Sequence, residues 1–162
     1  MDAAKHTGEQ ERDVVDLELS CKPHSRMLGS LRCIVTNLAK EHGFQEEQIG
    51  QIEMAVDEAC ANVIRHAYDE TQRCNEEIFR ISIRLTMCQQ AMTIHVIDYG
   101  VGLRNKPKGA SNVAEYVERG ANGGLGLHII DSFMDEVRYE YPNNSGTHVI
   151  MKKYLPTMVK NS

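Results

Sequence analysis

The chain has 162 residues, 41% hydrophobic and 25% charged, with a formal net charge of -5. That length suits one domain with a real core and is short for two. The composition excludes a disordered chain and a twenty-residue apolar span, and the acidic balance argues against a general nucleic-acid surface, which needs clustered Lys and Arg.

The opening stretch MDAAKHTGEQERD is polar and acidic where a signal peptide would be basic and then apolar, so a cytoplasmic protein with no membrane attachment is expected. Residues 1–13 are read as a flexible N-terminus, 14–155 as a single domain and 156–162 as a loose tail. Cys21, Cys33, Cys60, Cys74 and Cys88 are scattered and form no C-x-x-C pair, so reduced thiols are expected, three or so of them buried.

In chain order, residues 14–21 alternate with Val15, Leu17, Leu19 and Cys21 on one face, the period of a half-buried edge strand. Leu28, Leu31, Val35 and Leu38 recur at helical steps between Ser25 and His42, with Gly43 as a stop. A second helix is expected from Glu46 to Tyr68, its core stripe being Ile49, Ile52, Val56, Ala59, Val63 and Ala67. Phe79, Ile81, Ile83, Leu85 and Met87 alternate with polar residues, as do Met92, Ile94 and Val96 after Gln89-Gln90, which predicts a hairpin with one wet face. Residues 103–122 are read as a mobile loop with a helical turn near Val113 to Val117. A third helix from Gly124 to Met134 and strands at 136–141 and 147–153 complete the chain. This order implies an α+β two-layer sandwich with a mixed, mostly antiparallel sheet, helices on one face and the other face wet.

Three short motifs carry the chemistry: EACAN at Glu58 to Asn62, DYGVG at Asp98 to Gly102, and GGLGL at Gly123 to Leu127. Glu58 and Asn62 are four apart on a helix, so they share a face beside the core stripe, which Arg65 and His66 extend. An amide oxygen suits Mg²⁺, which takes few protein ligands, making Asn62 the metal candidate. A carboxylate one turn away can accept a hydroxyl proton, a contribution of roughly 10²- to 10⁴-fold, making Glu58 the candidate base. Taken alone, the pair reads better as an ordinary solvated Glu and a helix-surface Asn.

Asp98 ends a strand before Gly100 and Gly102, which allow a tight backbone turn. A buried carboxylate there can accept a hydrogen bond from an exocyclic amine such as that of adenine; the alternative is that Asp98 caps its own backbone at a strand-ending turn. Gly124 and Gly126 open a helix whose free amides and dipole favour phosphate, although linker glycines would explain the pattern equally well. GGLGL is neither a P-loop nor a dinucleotide fingerprint. His66 and His128 lie near these motifs and are assigned no role.

The three motifs together resemble the N, G1 and G2 boxes of the GHKL ATPase superfamily. The segment from about Leu28 to Lys153, through DEACANVIRHAY, VIDYGVGL and GGLGLHIIDSFMDEVRYEYPNNSGTHVIMKK, resembles its bacterial anti-sigma-factor serine/threonine kinase branch. The resemblance implies a Bergerat-type sandwich that binds ATP with Mg²⁺ and phosphorylates a serine or threonine of a small antagonist protein. It also implies a chain that holds a sigma factor or similar regulator, commonly as a homodimer. Carried over by position, Glu58 resembles the catalytic base, Asn62 the Mg²⁺ ligand and Asp98 the adenine reader, with Gly100 and Gly102 the turn beneath the base. Gly124, Gly126 and Leu127 resemble the phosphate end, and Thr147 after Gly146 the residue backing the adenine.

The pattern departs at one place. Members of the branch often carry an Arg just before the G2 glycines, whereas here GANG separates Arg119 from Gly124. A guanidinium there suits charge stabilisation in phosphoryl transfer, a role Arg104, Lys106 or Lys108 could also fill. Three functions are compatible with these motifs to different degrees. A serine/threonine kinase accounts for Glu58 as well as the nucleotide motifs, and a nucleotide-responsive binding module that transfers no phosphate accounts for the latter alone. The ATP-binding half of a histidine kinase would bring a long helical hairpin with a phosphoacceptor His, for which nothing before Leu28 has the length.

Overall fold

The computed structural model describes residues 15–68, 73, 75, 77–100, 124–142 and 146–156. The expected flexible N-terminus, the loop at 103–122 with its helical turn, and the tail beyond Pro156 lie outside the described residues, as do Cys74, Gly102, Arg104, Lys106, Lys108 and Arg119.

The described strands are β1 (Val15–Cys21), β2 (Ile81–Cys88), β3 (Ala91–Asp98), β4 (Glu136–Glu140) and β5 (His148–Tyr154). They form one sheet in the order β1-β2-β3-β5-β4. Every pairing among them is antiparallel, so the expected parallel component is absent from the described strands. The sheet is antiparallel because its consecutive strands either turn back directly, as β2 and β3 do across Gln89-Gln90, or return beside a hairpin already formed. The strand at 14–21 is an edge, as its alternation implied.

Helix α1 (Ser25–His42) ends where Gly43 turns left-handed at φ 97°, and the Gly43 and Phe44 N–H groups close back on the Lys40 and Ala39 carbonyls. Helix α2 (Glu46–Asn62) begins at a Gln45/Gln48 capping box with Glu46 and Glu47 in its first turn. The Arg32 guanidinium ties α1 to α2 through Asp57 at 2.8 Å and Glu53 at 3.5 Å. The expected helix to Tyr68 changes character after Asn62: Val63–Ala67 is one π-helical turn, and Tyr68 is already extended. Such turns are rare and frequent at functional sites. Helix α3 (Gly124–Phe133) packs against α2 and stops one residue short of the expected Met134.

The core lies between the helices and one sheet face. All six stripe residues expected on the second helix are buried, together with Ala55 and Cys60, which widen the stripe. They meet Ile81, Ile83, Leu85, Met92, Ile94, Val96 and Met151 from the sheet, and Ile130 of α3. Lys153 is also on this buried side: its Nζ donates to the Phe133 carbonyl at 2.7 Å and pairs with Asp135 at 3.3 Å, so a cation closes the C-terminal end of α3. Of the described cysteines Cys60 alone is fully buried, with its thiol pushed up to about 12 by burial; Cys21 and Cys88 are half-buried and Cys33 is exposed, fewer buried thiols than expected.

Across the opposite face, register places Glu18, Arg84, His95, Ile150 and Arg138 in one row, and Ser20, Ser82, Ile97, His148 and Glu140 in the next. This is the wet face that the hairpin's alternation predicted. Among the described residues no helix is long and apolar enough to cross a membrane.

Candidate functional site

The site has two ends, joined by α2 and its π-helical turn. At the first, Glu58 and Asn62 project from the last turns of α2 toward the start of α3. A β-carbon built on Gly126 would lie 2.6 Å from Glu58 Oε2 and 3.7 Å from Asn62 Oδ1. The two oxygen-bearing side chains of the first motif therefore face the glycine of the third, and only a residue without a side chain lets them approach so closely. Gly124 is the first residue of α3, so the helix presents its amide end here. Leu125 points away, 75% exposed, and Leu127 is half-buried.

At the second end, Asp98 is the last residue of β3 and only 4% exposed. Its Oδ1 accepts the Gly100 N–H at 2.9 Å, and its Oδ2 accepts the Thr147 N–H at 3.1 Å. The carboxylate thus does cap its own backbone, one of the two readings its position allowed. A carboxylate has about four acceptor positions, so these bonds leave capacity for a further donor. Burial pushes the Asp98 carboxyl above the ordinary aspartate range, while the bonds from Gly100 and Thr147 oppose that rise.

Thr147 is held in return, since its carbonyl accepts the Asp98 N–H at 3.0 Å. Gly146, at φ 72°, donates to the Gly100 carbonyl at 2.8 Å, which locks the start of β5 to the strand-ending turn. Gly100 in turn lies on the π-helical turn: a β-carbon there would fall 1.8 Å from the Ala67 carbonyl oxygen, so no other residue fits.

Tyr68 fixes the same junction and was assigned no role from sequence. Its buried hydroxyl accepts the Tyr99 N–H at 3.0 Å and the Arg80 N–H at 3.3 Å, and donates to the Arg80 carbonyl. Phe79 stacks edge-on against its ring, with centroids 5.1 Å apart. A Tyr directly after a helix that carries the metal candidate was the only cue in the sequence. Arg65 and His66 are exposed beside the site, and His128 is exposed on α3.

From Glu58 to Ala67 the helical rise is about 13 Å, so one continuous element sets the separation of the two ends. The structure therefore brings Glu58, Asn62 and Gly126 together, and separately Asp98, Gly100 and Thr147. Gly102 and Arg119 lie outside the described residues.

A model of the histidine kinase-like ATPase domain matches residues 22–153, a span that contains all three motifs. The chain belongs to this family. Among curated members it is 32% identical over 147 residues to a protein of Bacillus pumilus named serine-protein kinase RsbW, covering 88% of this chain and 86% of that one. A protein of the same name from Listeria monocytogenes is 31% identical, with 88% of each chain covered. The fold also matches the crystal structure of the RsbU and RsbW domains of Rv1364c from Mycobacterium tuberculosis. The TM-score is 0.60 at 16% identity, over 88% of this chain and 33% of that longer one. The SiaB-SiaC complex of Pseudomonas aeruginosa matches with a TM-score of 0.56 at 15% identity, over 86% of this chain and 89% of its counterpart.

Proposed function

We propose that the chain is a serine/threonine protein kinase of the anti-sigma-factor type, which uses ATP to phosphorylate a small antagonist protein. The observation that carries this reading is the convergence of Glu58 and Asn62 on Gly126 at the amide end of α3. A nucleotide-binding module needs the glycine and the amides; a carboxylate beside them is what phosphate transfer adds. Curated relatives near 30% identity that span most of the chain are named serine-protein kinases, which supports the same conclusion.

In this mechanism the adenine amine donates to Asp98, beside Gly100 and Thr147, and Gly102, outside the described residues, is proposed as part of the turn beneath the base. The phosphates lie along the start of α3, where Gly124, Gly126 and Leu127 supply backbone amides and dipole. Glu58 accepts the proton of the acceptor hydroxyl as that oxygen bonds to the terminal phosphorus, the bond to the bridging oxygen breaks and ADP leaves. Glu58 and Asn62 are hard oxygen donors, which suits Mg²⁺, and Asn62 would hold the ion. Mg²⁺ would supply neutralisation of phosphate charge. Arg119 is proposed to reach the terminal phosphate, with Arg104, Lys106 and Lys108 as substitutes.

The partners follow from the same reading: an antagonist protein as phosphoacceptor and a sigma factor or similar regulator held by the kinase, which works as a homodimer in the cytoplasm. Residues 14–155 form the catalytic domain. The test is to incubate the chain with labelled ATP, Mg²⁺ and a candidate antagonist domain and to map the modified residue. Phosphoserine or phosphothreonine on the antagonist supports the kinase, whereas ATP-dependent binding without transfer supports a non-catalytic module.

A further inference from the structure

On the wet face of the sheet, close in register to the Asp98–Thr147 end of the site and distinct from it in side chains, His95 of β3 and His148 of β5 point at one another. Their facing nitrogens, Nδ1 of His95 and Nε2 of His148, are 2.9 Å apart. The other nitrogen of His148, Nδ1, lies 3.3 Å from Glu140 Oε2 on β4. We propose that this pair is a binding site for a first-row transition-metal ion of the zinc type, held by His95 Nδ1 and His148 Nε2 and oriented by Glu140.

The tautomers follow from the contacts. A carboxylate accepts, so His148 Nδ1 carries the proton and its Nε2 lone pair faces His95. This carboxylate–histidine arrangement is the one that fixes the ring and raises the basicity of metal-binding imidazoles. In the metal-free chain His95 donates its Nδ1–H to that lone pair. On binding, this proton moves to His95 Nε2, which leaves two lone pairs converging on one point with no net proton released.

The spacing fits. Two nitrogens each about 2.05 Å from an ion are roughly 2.9 Å apart at a right angle and roughly 3.3 Å apart at the tetrahedral angle. The pair therefore needs to open by a few tenths of an ångström, and each ring must swing so that its lone pair leaves the N···N line and points at the ion. The rings stand on two adjacent inner strands of the sheet, whose ladder fixes them, and the half-buried rings leave room for entry from solvent. Imidazole suits zinc, copper and nickel, in contrast to the oxygen donors at Glu58 and Asn62.

The main opposing charge is Arg84, opposite His95 in register, and its guanidinium is paired with Glu18 at 3.2 Å. Among the described residues no set of three or more His, Cys, Asp or Glu converges as a metal site, so water would complete the coordination here. That makes the site open and exchangeable rather than structural.

The experiment is a titration of the nucleotide-free full chain, kept reduced, with Zn²⁺, followed by calorimetry and by NMR of ¹⁵N-labelled imidazoles. The account predicts saturable binding in which His95 Nδ1 and His148 Nε2 shift while the remaining five of the seven histidines do not. His95→Asn and His148→Asn should each remove that binding event, and Glu140→Gln should weaken it by about 10- to 100-fold. Binding unchanged in His95→Asn, shifts confined to other residues, or no saturable event below millimolar Zn²⁺ would each overturn the site and leave the two rings as a hydrogen-bonded pair only.

Discussion

A β-carbon at Gly126 would lie 2.6 Å from Glu58 Oε2, closer than any real pair of such atoms. Because Glu58 is the far end of a flexible side chain, Gly126→Ala should move the carboxylate and spare the fold. A misplacement of about 1 Å can cost on the order of 10²-fold in rate. Gly126→Ala should therefore lose roughly that much phosphate transfer while its melting temperature changes little. Gly50→Ala, on α2 and with open space at its β-carbon, is the control. It should retain transfer and gain about 0.5–1 kcal/mol in stability.

Tyr68 is the hinge pin between the two ends of the site. Tyr68→Phe keeps the ring against Phe79 and deletes the hydroxyl that accepts from Tyr99 and Arg80. The Tyr99 N–H then loses its partner while the Arg80 N–H keeps the Ile78 carbonyl at 2.7 Å, so the loss should cost about 0.5–1.5 kcal/mol in unfolding free energy, measurable by urea denaturation. Because the strand-ending turn is loosened while Glu58 is untouched, KM for ATP should rise with kcat held. A fall in kcat at unchanged KM would show that Tyr68 acts on the phosphate end instead.

The pH dependence should follow Asp98. Its carboxyl is raised in the folded chain, so between the ordinary value near 3.9 and the raised value the folded state binds more protons than the unfolded one. Stability from this group is therefore fully present below the ordinary value and is lost as pH rises through the raised one. Nucleotide binding has the opposite sign, since the protonated carboxyl loses acceptor capacity: ATP affinity should fall as pH drops through the raised value. A ¹³C titration of the Asp98 carboxyl should show its inflection above 3.9, and Asp98→Asn should bind ATP more weakly at neutral pH. Wild-type affinity in that variant would remove Asp98 from adenine recognition.

Much of this fold was legible because its periods are clean. The alternation of Ile81 to Met87 and of Met92 to Val96, and the three- and four-residue steps of α1, decided element type and burial face together. Helix α1 matched its expected bounds because Gly43 supplies the left-handed stop. What was illegible depends on contacts between distant segments. The π-helical turn at Val63–Ala67 keeps the apolar period of the α-helix before it, so the pattern alone could not reveal the change. The burial of Lys153 depends on the end of α3, whose Phe133 carbonyl accepts from its Nζ, and nothing local to β5 encodes that contact. At the site, spacing placed Glu58 beside Asn62, but their approach to Gly126 crosses more than sixty residues of sequence, and no local rule contains it.

The central claim is that Glu58 is positioned for chemistry and not for nucleotide binding. The most direct measurement compares Glu58→Gln with the unsubstituted chain in both ATP affinity by calorimetry and phosphate transfer to the acceptor protein. The account predicts affinity within a few-fold and transfer reduced by about 10²- to 10⁴-fold. Transfer at the unsubstituted rate would contradict it.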